Sequence, residues 1–478
     1  MRLTLALFIG ICSAATLDPT AQALVDRISA NDMKGNLSFL SSDLLEGRDT
    51  PSRGLDLAGE FIASQFRRAG LEPAFQNAEF EQLTPDPTGF SLTVNGTAVT
   101  EKVTIQNSAA VDIQDAPAVV VDSAKPPSLA GKVAILAIPD MGAQAGRENM
   151  ATYQRWLAAA AAQHPLAIIQ YNEGNARGRG GAGRGAARPR LVEVEAAQKA
   201  PTVITVADSS AAKLFEHKAT VSIHAAAPKV NLAHLRNVTA ILKGSDPELS
   251  KTYILITAHY DHIGVKADGD GDRIYNGAND DGSGTVSVIE LANAFGQMNP
   301  RPKRSILFMT FFGEEKGLLG SHYYGSHPLV PLKDTIAQIN LEQVGRTDDN
   351  EGPQVGTATF TGFTFSNIPS AFEAAGKELG VKVYNNEKNG DSYFARSDNQ
   401  SLADSGIPAH TLCVAFDYPD YHGLGDEWPK VDYENMAKID RMVALGVLHL
   451  ANDSKAPHWN ESNPKTEKYV AAWKALHK

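Results

Sequence analysis

Two adjacent glutamates, Glu314 and Glu315, sit in "FFGEEKGLLGS" directly after an apolar run at residues 305–312. Paired carboxylates where a buried strand runs out suit a division of labour, one holding a cation and the other moving a proton. Further candidates stand at comparable places. His259, Asp261 and His262 close "TYILITAHYDH", Asp280 and Asp281 lie in "NGANDDGSG", Glu342 closes "DTIAQINLE", and Tyr421 and His422 follow "PAHTLCVAFDYPD". Imidazole and carboxylate are donors that zinc accepts, and no cysteine cluster points to a structural finger. A catalytic site with one zinc uses about three protein ligands, so two histidines and at least three carboxylates better fit two ions about 3.5 to 4 Å apart sharing a bridging carboxylate. Each element alone is weak, since an isolated His-x-Asp is usually incidental and acids before a helix also complement its dipole. Their joint occurrence at strand ends is the signal.

The elements that must carry them can be read from periodicity. From about residue 236 onward "TYILITAH", "RSILFMTFF" and "DTIAQINLE" read as strands and "TVSVIELANAF" as a helix. Such alternation implies an α/β fold, a mixed and mostly parallel central sheet with helices on both faces, whose functional loops gather at the carboxyl ends of the strands. Near the amino end, "LDLAGEFIASQFRRAGLEP" places Leu57, Phe61, Ile62 and Phe66 at helical spacing toward a core. Residues 85–235 change to short β-rich pieces, with an Ala-rich helical pattern around 155–163, and read as a separate small domain between residues 16–84 and 236–478. Within it "NARGRGGAGRGAARPR", residues 175–190, has a composition that cannot pack a core and is expected to be a mobile, solvated loop.

At 478 residues the chain exceeds what one core usually holds. A net charge of -11 argues against a nucleic-acid surface. Residues 1–15 combine one basic residue, a short apolar stretch and small residues, the pattern of a signal peptide cleaved near Ala14 or Ala15. No later apolar run approaches the ~20 residues of a membrane helix. If Cys12 leaves with the leader, Cys413 stands alone, so the mature protein must be stable without disulfides. These features predict a periplasmic or secreted protein.

The set of motifs resembles the co-catalytic di-zinc exopeptidases, a family that includes bacterial leucyl aminopeptidases, glutamate carboxypeptidase II and the non-catalytic transferrin receptor. The resemblance runs from "LSFLSSDLLEGRDT" through "FARSDNQSLADSGIPA" to "YHGLGDEW". It implies the zinc-exopeptidase fold with an inserted protease-associated domain, and two zinc ions per chain. By the same resemblance His259 binds the first metal, Asp280 bridges both, Glu315 and His422 bind the second, and Glu314 is the general base for a zinc-activated water. Asp261 joins the catalytic set as the carboxylate on the far nitrogen of His259, where it would fix the tautomer. Glu342 stands where most members have aspartate as the last ligand of the first metal, a departure that its longer arm could accommodate. His262 reads equally as a supporting or surface residue and as a functional one. Asp268, Asp270 and Asp272 lack the glycine and terminal glutamate of an EF-hand and read as a solvated turn.

The implied activity is a metallo-aminopeptidase acting on peptides, with Arg396, Asp398 and Tyr421 toward the substrate. A carboxypeptidase would need guanidinium groups for a terminal carboxylate, and only Arg346 and Arg396 lie in the catalytic loops. An acid-rich pocket favours a substrate ammonium group instead. The rival readings are a carboxypeptidase or glutaminyl cyclase on the same scaffold, and a binding ectodomain without metals.

Overall fold

The computed structural model describes residues 17–100, 102–139, 146–172, 189–194, 201–207, 213–215 and 219–478. The expected leader and nearly all of the Arg/Gly-rich segment lie outside the described residues. The chain divides into two compact units, with boundaries between Asn77 and Ala78 and between His234 and Leu235.

In the larger unit the central sheet runs, from one edge inward, through Lys382–Tyr384, Thr357–Phe360, Ala409–Cys413, Thr335–Leu341, Tyr253–His259 and Ser305–Phe311 to the parts of Lys229–Leu242 and Pro73–Thr84 that lie in this unit. Tyr253–His259 is parallel to both Ser305–Phe311 and Thr335–Leu341, and the latter is parallel to Ala409–Cys413. Lys229–Leu242 and Thr357–Phe360 enter antiparallel to their inner neighbours, so the sheet is mixed and mostly parallel. Every residue of the strands 305–311, 335–341 and 409–413 is buried. Strands buried on both faces read as largely apolar runs, which is why 305–311 and 335–341 could be recognised from sequence. One face packs Leu255, Leu307, Met309 and Phe311 against Tyr324, Leu402 and Tyr469, which come from helices Leu319–Ser326, Asn399–Asp404 and Glu467–Leu476. Against the sheet also lies the helix Gly284–Gly296, which meets the strands 253–259, 305–311 and 335–341.

The helix expected near the amino end spans Arg53–Arg68, with Ser52 accepting from the Leu55 amide as its cap. Its buried stripe is Leu55, Ala58, Ile62 and Phe66, whereas Leu57 is exposed. Spacings of three and four from Leu55 place Ala58, Ile62 and Phe66 on one face and leave Leu57 off it.

The smaller unit, Ala78–His234, holds a mixed sheet in the order Thr97–Ala98, Ser91–Val94, Thr220–Ala225, Val111–Val120, Val133–Ile138, Ala167–Asn172, Val203–Val206 and Val103–Gln106. Its helix, Gly146–Ala161, packs Tyr153 and Ala160 onto Ala134, Leu136 and Ile168.

Candidate metal centre

Because the inner strands run parallel, their carboxyl ends meet on one edge. His259 is the last residue of its strand, Glu342 directly follows Leu341, and Glu314 and Glu315 begin a short turn two residues beyond Phe312. That turn is bracketed by Gly313 (φ +66°) and Gly317 (φ +102°), left-handed positions that explain the glycines on either side of "EEK". Asp280 and Asp281 lie in the segment Ala278–Ser283 that leads into helix Gly284–Gly296.

Two groups of donors result, each with ligand atoms within 4.8 Å of one another: His259 with Asp280 and Glu342, and His262 with Asp280 and Glu315. Asp280 belongs to both. Its Oδ1 lies 3.3 Å from His259 Nε2, and its Oδ2 lies 3.0 Å from His422 Nε2. Glu315 Oε1 is 3.2 Å from His422 Nε2 and 2.9 Å from His262 Nδ1. His262 is fully buried, so the structure excludes the surface alternative for this residue. The side chain of Glu342 does reach His259 and Asp280 despite its extra methylene. Glu314 stands aside from both groups, its Oε2 4.0 Å from His259 Nε2.

Buried atoms without a hydrogen-bond partner concentrate here: His259 Nε2, both ring nitrogens of His262, Asp280 Oδ2, Glu315 Oε1 and Glu342 Oε2. Polar atoms so buried are normally satisfied, and carboxylate oxygens gathered with imidazole nitrogens without hydrogen bonds between them suit a cation. The donor set of imidazole and carboxylate, without thiolate, fits zinc. The charges also strain one another. Burial, then the charges of Glu342, Glu315 and Asp398, raise the Glu314 carboxyl well above its usual range against the pull of His259. Burial pushes the Glu342 carboxyl up to about 7, with Asp280 and Asp398 adding to it. Glu315 goes the other way, to about 2, because contacts with His262 and His422 outweigh burial and the repulsion of Asp280.

A surrounding set of contacts fixes these groups. Asp281 accepts the amides of His259 (3.3 Å), Gly284 (3.0 Å) and Gln343 (3.2 Å). Asp426 accepts the amides of Asn279 and Asp280 and the Tyr418 hydroxyl. Asp261 Oδ1 lies 3.5 Å from His259 Nδ1 and accepts the Glu314 amide at 3.1 Å. In the sequence Asp281 stands beside Asp280 with no role of its own, and Asp426, four residues after His422 inside a quoted motif, carries no separate signal.

The residues expected to meet substrate divide. Tyr421 is 38% exposed and stacks on His422 with ring centroids 4.2 Å apart. Arg396 is exposed, its guanidinium 4.5 Å over the Tyr393 ring. Asp398 has no exposed surface, and its charge adds to what raises the carboxyls of Glu314 and Glu342. Arg346 is occupied, paired with Asp348 at 2.5 Å and Asp420 at 2.9 Å. Beside Glu342 lies a pocket of about 280 Å³, in part open to solvent, lined by Gln343, Thr361, Tyr393, Cys413 and Phe416 among others.

Residues 237–447 match the family model for peptidase family M28. Among curated relatives, a vacuolar membrane protease of Verticillium alfalfae is 37% identical over 97 residues, 20% of this chain and 8% of that protein. A probable leucine aminopeptidase 2 of Aspergillus oryzae is 25% identical over 262 residues, 48% of this chain and 47% of that protein. The matched segments thus cover under half the length of these relatives. Among solved structures, an aminopeptidase from an Aneurinibacillus species shares the fold with a TM-score of 0.59 at 23% identity, over 92% of this chain and 97% of that one. The expected periplasmic or secreted location is overturned. Relatives from Verticillium alfalfae, Pyricularia oryzae and Ajellomyces capsulatus are all named vacuolar membrane proteases; among the described residues of this chain no helix is long and apolar enough to cross a membrane. A leader-like segment reports entry into a secretory route and does not by itself fix the destination. Residues 237–447, under half of the chain, are thus similar to peptidase family M28.

Proposed function

We propose that this chain is a zinc aminopeptidase that removes residues from the free amino end of peptides, using two zinc ions. The zinc peptidase class is supported by the match of residues 237–447 to peptidase family M28 and by relatives named probable zinc metalloproteases in Pyrenophora teres and Pyrenophora tritici-repentis. The observation that carries the finer reading is the sharing of Asp280 between two donor groups, with Glu314 left over beside them. His259, Asp280 and Glu342 would hold one ion. Asp280, Glu315 and His422 would hold the other, with the His262 ring against Glu315. Zinc, when bound, supplies Lewis acidity toward the scissile carbonyl and toward water.

The chain's own groups supply the rest. Glu314 belongs to neither donor group, which leaves its carboxylate beside His259 to take a proton from the attacking water and pass it to the leaving amine. Tyr421, stacked on His422 and partly exposed, can donate its hydroxyl to a substrate carbonyl. Arg346, a possible clamp for a terminal carboxylate, is already paired with two aspartates, and the surroundings are otherwise anionic. Such a site selects an ammonium group. Two peptides test it, one acetylated at its amino end and one amidated at its carboxyl end. The acetylated peptide is expected to resist and the amidated one to be trimmed; the reverse would assign a carboxypeptidase.

A further inference from the structure

The segment Glu46-Gly-Arg-Asp-Thr50 lies far in sequence from every candidate ligand, yet three consecutive residues of it hold the loops of the centre. Arg48, 1% exposed, donates from Nε to the carbonyl of Tyr260 at 2.9 Å, from Nη1 to that of Asn276 at 2.7 Å and from Nη2 to that of Gly277 at 2.8 Å. Its own carbonyl accepts the His262 amide. Asp49 pairs with Lys316, the neighbour of Glu315, at 2.7 Å. Thr50, 2% exposed, donates its hydroxyl to Asp261 Oδ2 at 3.1 Å. The turn that makes this possible has Glu46, Gly47 and Arg48 all at positive φ, 48°, 67° and 49°. A Cβ at Gly47 would come within 2.4 Å of the Gly264 carbonyl and 2.5 Å of that of Tyr275. Two non-glycine residues held in that region persist only where surrounding contacts over-determine them.

The Thr50 contact has the sharpest consequence. Asp261 presents Oδ1 to His259 Nδ1 and to the Glu314 amide, and presents Oδ2 to Thr50. The Thr50 hydroxyl therefore fixes the rotation of one carboxylate that orients both the ring of a candidate ligand and the backbone of the candidate base. We propose that Thr50 is a positioning residue for the metal centre, acting through Asp261 on His259 and Glu314. This rests on the reading above that His259 holds zinc. Partners of metal-ligating histidines typically contribute about 10- to 100-fold in metal affinity or activity, and a group that orients such a partner acts along the same line.

The test compares Thr50→Val, which keeps the shape and removes the hydroxyl, with Thr50→Ser, which keeps the hydroxyl. Zinc alone is titrated into the metal-free full chain against a chromogenic chelator, and cobalt alone is followed by its visible absorption. In parallel, kcat and KM are measured on a leucyl chromogenic amide. Thr50→Val is expected to bind zinc about 10-fold or more weakly and to lose kcat with KM nearly unchanged, while Thr50→Ser stays near wild type. A role confined to folding would lower the melting temperature of the metal-free protein and leave the zinc affinity of the folded fraction unchanged, and that result overturns the proposal. If the valine variant fails to fold, Thr50→Ala takes its place, and equal zinc affinity of the alanine and serine variants also overturns it. Wild-type protein that binds no zinc would instead refute the zinc reading on which the proposal stands.

Discussion

Replacing each glutamate of the pair by glutamine separates proton transfer from metal holding. Glutamine has nearly the shape of glutamate and cannot take up a proton at neutral pH. At Glu314 the change leaves the backbone amide on Asp261 in place, since that bond uses the main chain. It also leaves both donor groups intact, neither of which includes Glu314. Only the proton transfer is lost. A positioned general base contributes about 100- to 10,000-fold, so kcat should fall by that factor, equivalent to about 3 to 5 kcal/mol of barrier. Zinc content should stay at the wild-type value. At Glu315 the same change removes the charge on the oxygen that lies 2.9 Å from His262 and 3.2 Å from His422, and one donor group loses its anionic member. Glu315→Gln should therefore lose zinc as well as turnover. Elemental analysis of dialysed protein, paired with kcat on a leucyl chromogenic amide, reads both quantities. Equal zinc loss in the two variants, or a Glu314→Gln enzyme with wild-type turnover, would refute the division of roles.

Two other expectations follow from the distribution of charge. Chelation should abolish hydrolysis and zinc or cobalt should restore it, with about two zinc per chain at saturation; full activity in protein that elemental analysis finds free of divalent metal would refute this. Away from the centre, burial pushes the Glu290 carboxyl up to about 7, and the Ser29 amide at 2.9 Å does not offset it. An acid whose folded pKa is raised binds more protons folded than unfolded, so stability is lost as pH rises from about 4.5 through about 7. Glu290→Gln should flatten that loss and raise stability at pH 8 by up to the order of 3 kcal/mol, read as denaturation midpoints at pH 5 and pH 8; an unchanged pH slope would count against it.

What could be read from the chain was what leaves a periodic or chemical trace. The inner strands gave themselves away because coverage on both faces favours apolar residues along most of their length, and the loops at their ends then collected the histidines and acids. The stripe of helix Arg53–Arg68 was harder, because Leu57 and Leu55 are the same residue type and only the partner surface decides which is covered. Arg48 and Thr50 left no such trace. Arg48 binds main-chain carbonyls, which every residue possesses, and so no pattern of side chains marks its partners. Asp398 was visible as an acid among catalytic motifs, but whether a carboxylate touches a substrate or only projects its charge depends on burial, and adjacency in sequence is silent on that.

The neighbours Asp280 and Asp281 make the same point at closest range. In the sequence they are interchangeable, two carboxylates in "NGANDDGSG" at the start of a helix. In the structure Asp281 gives both oxygens to backbone amides, those of Gly284 and Gln343 on Oδ1 and that of His259 on Oδ2, and through them it ties the helix start to two strand ends. Asp280 keeps Oδ2 free of any hydrogen bond while turning its two oxygens toward different histidines, His259 and His422. A carboxylate engaged by three amides has little left to offer a cation, and one whose oxygens face two imidazoles is shaped to lie between two cations. The division comes from the amides around them, and Asp426, which accepts the amide of Asp280 itself, is part of what turns that side chain outward from the helix and into the centre.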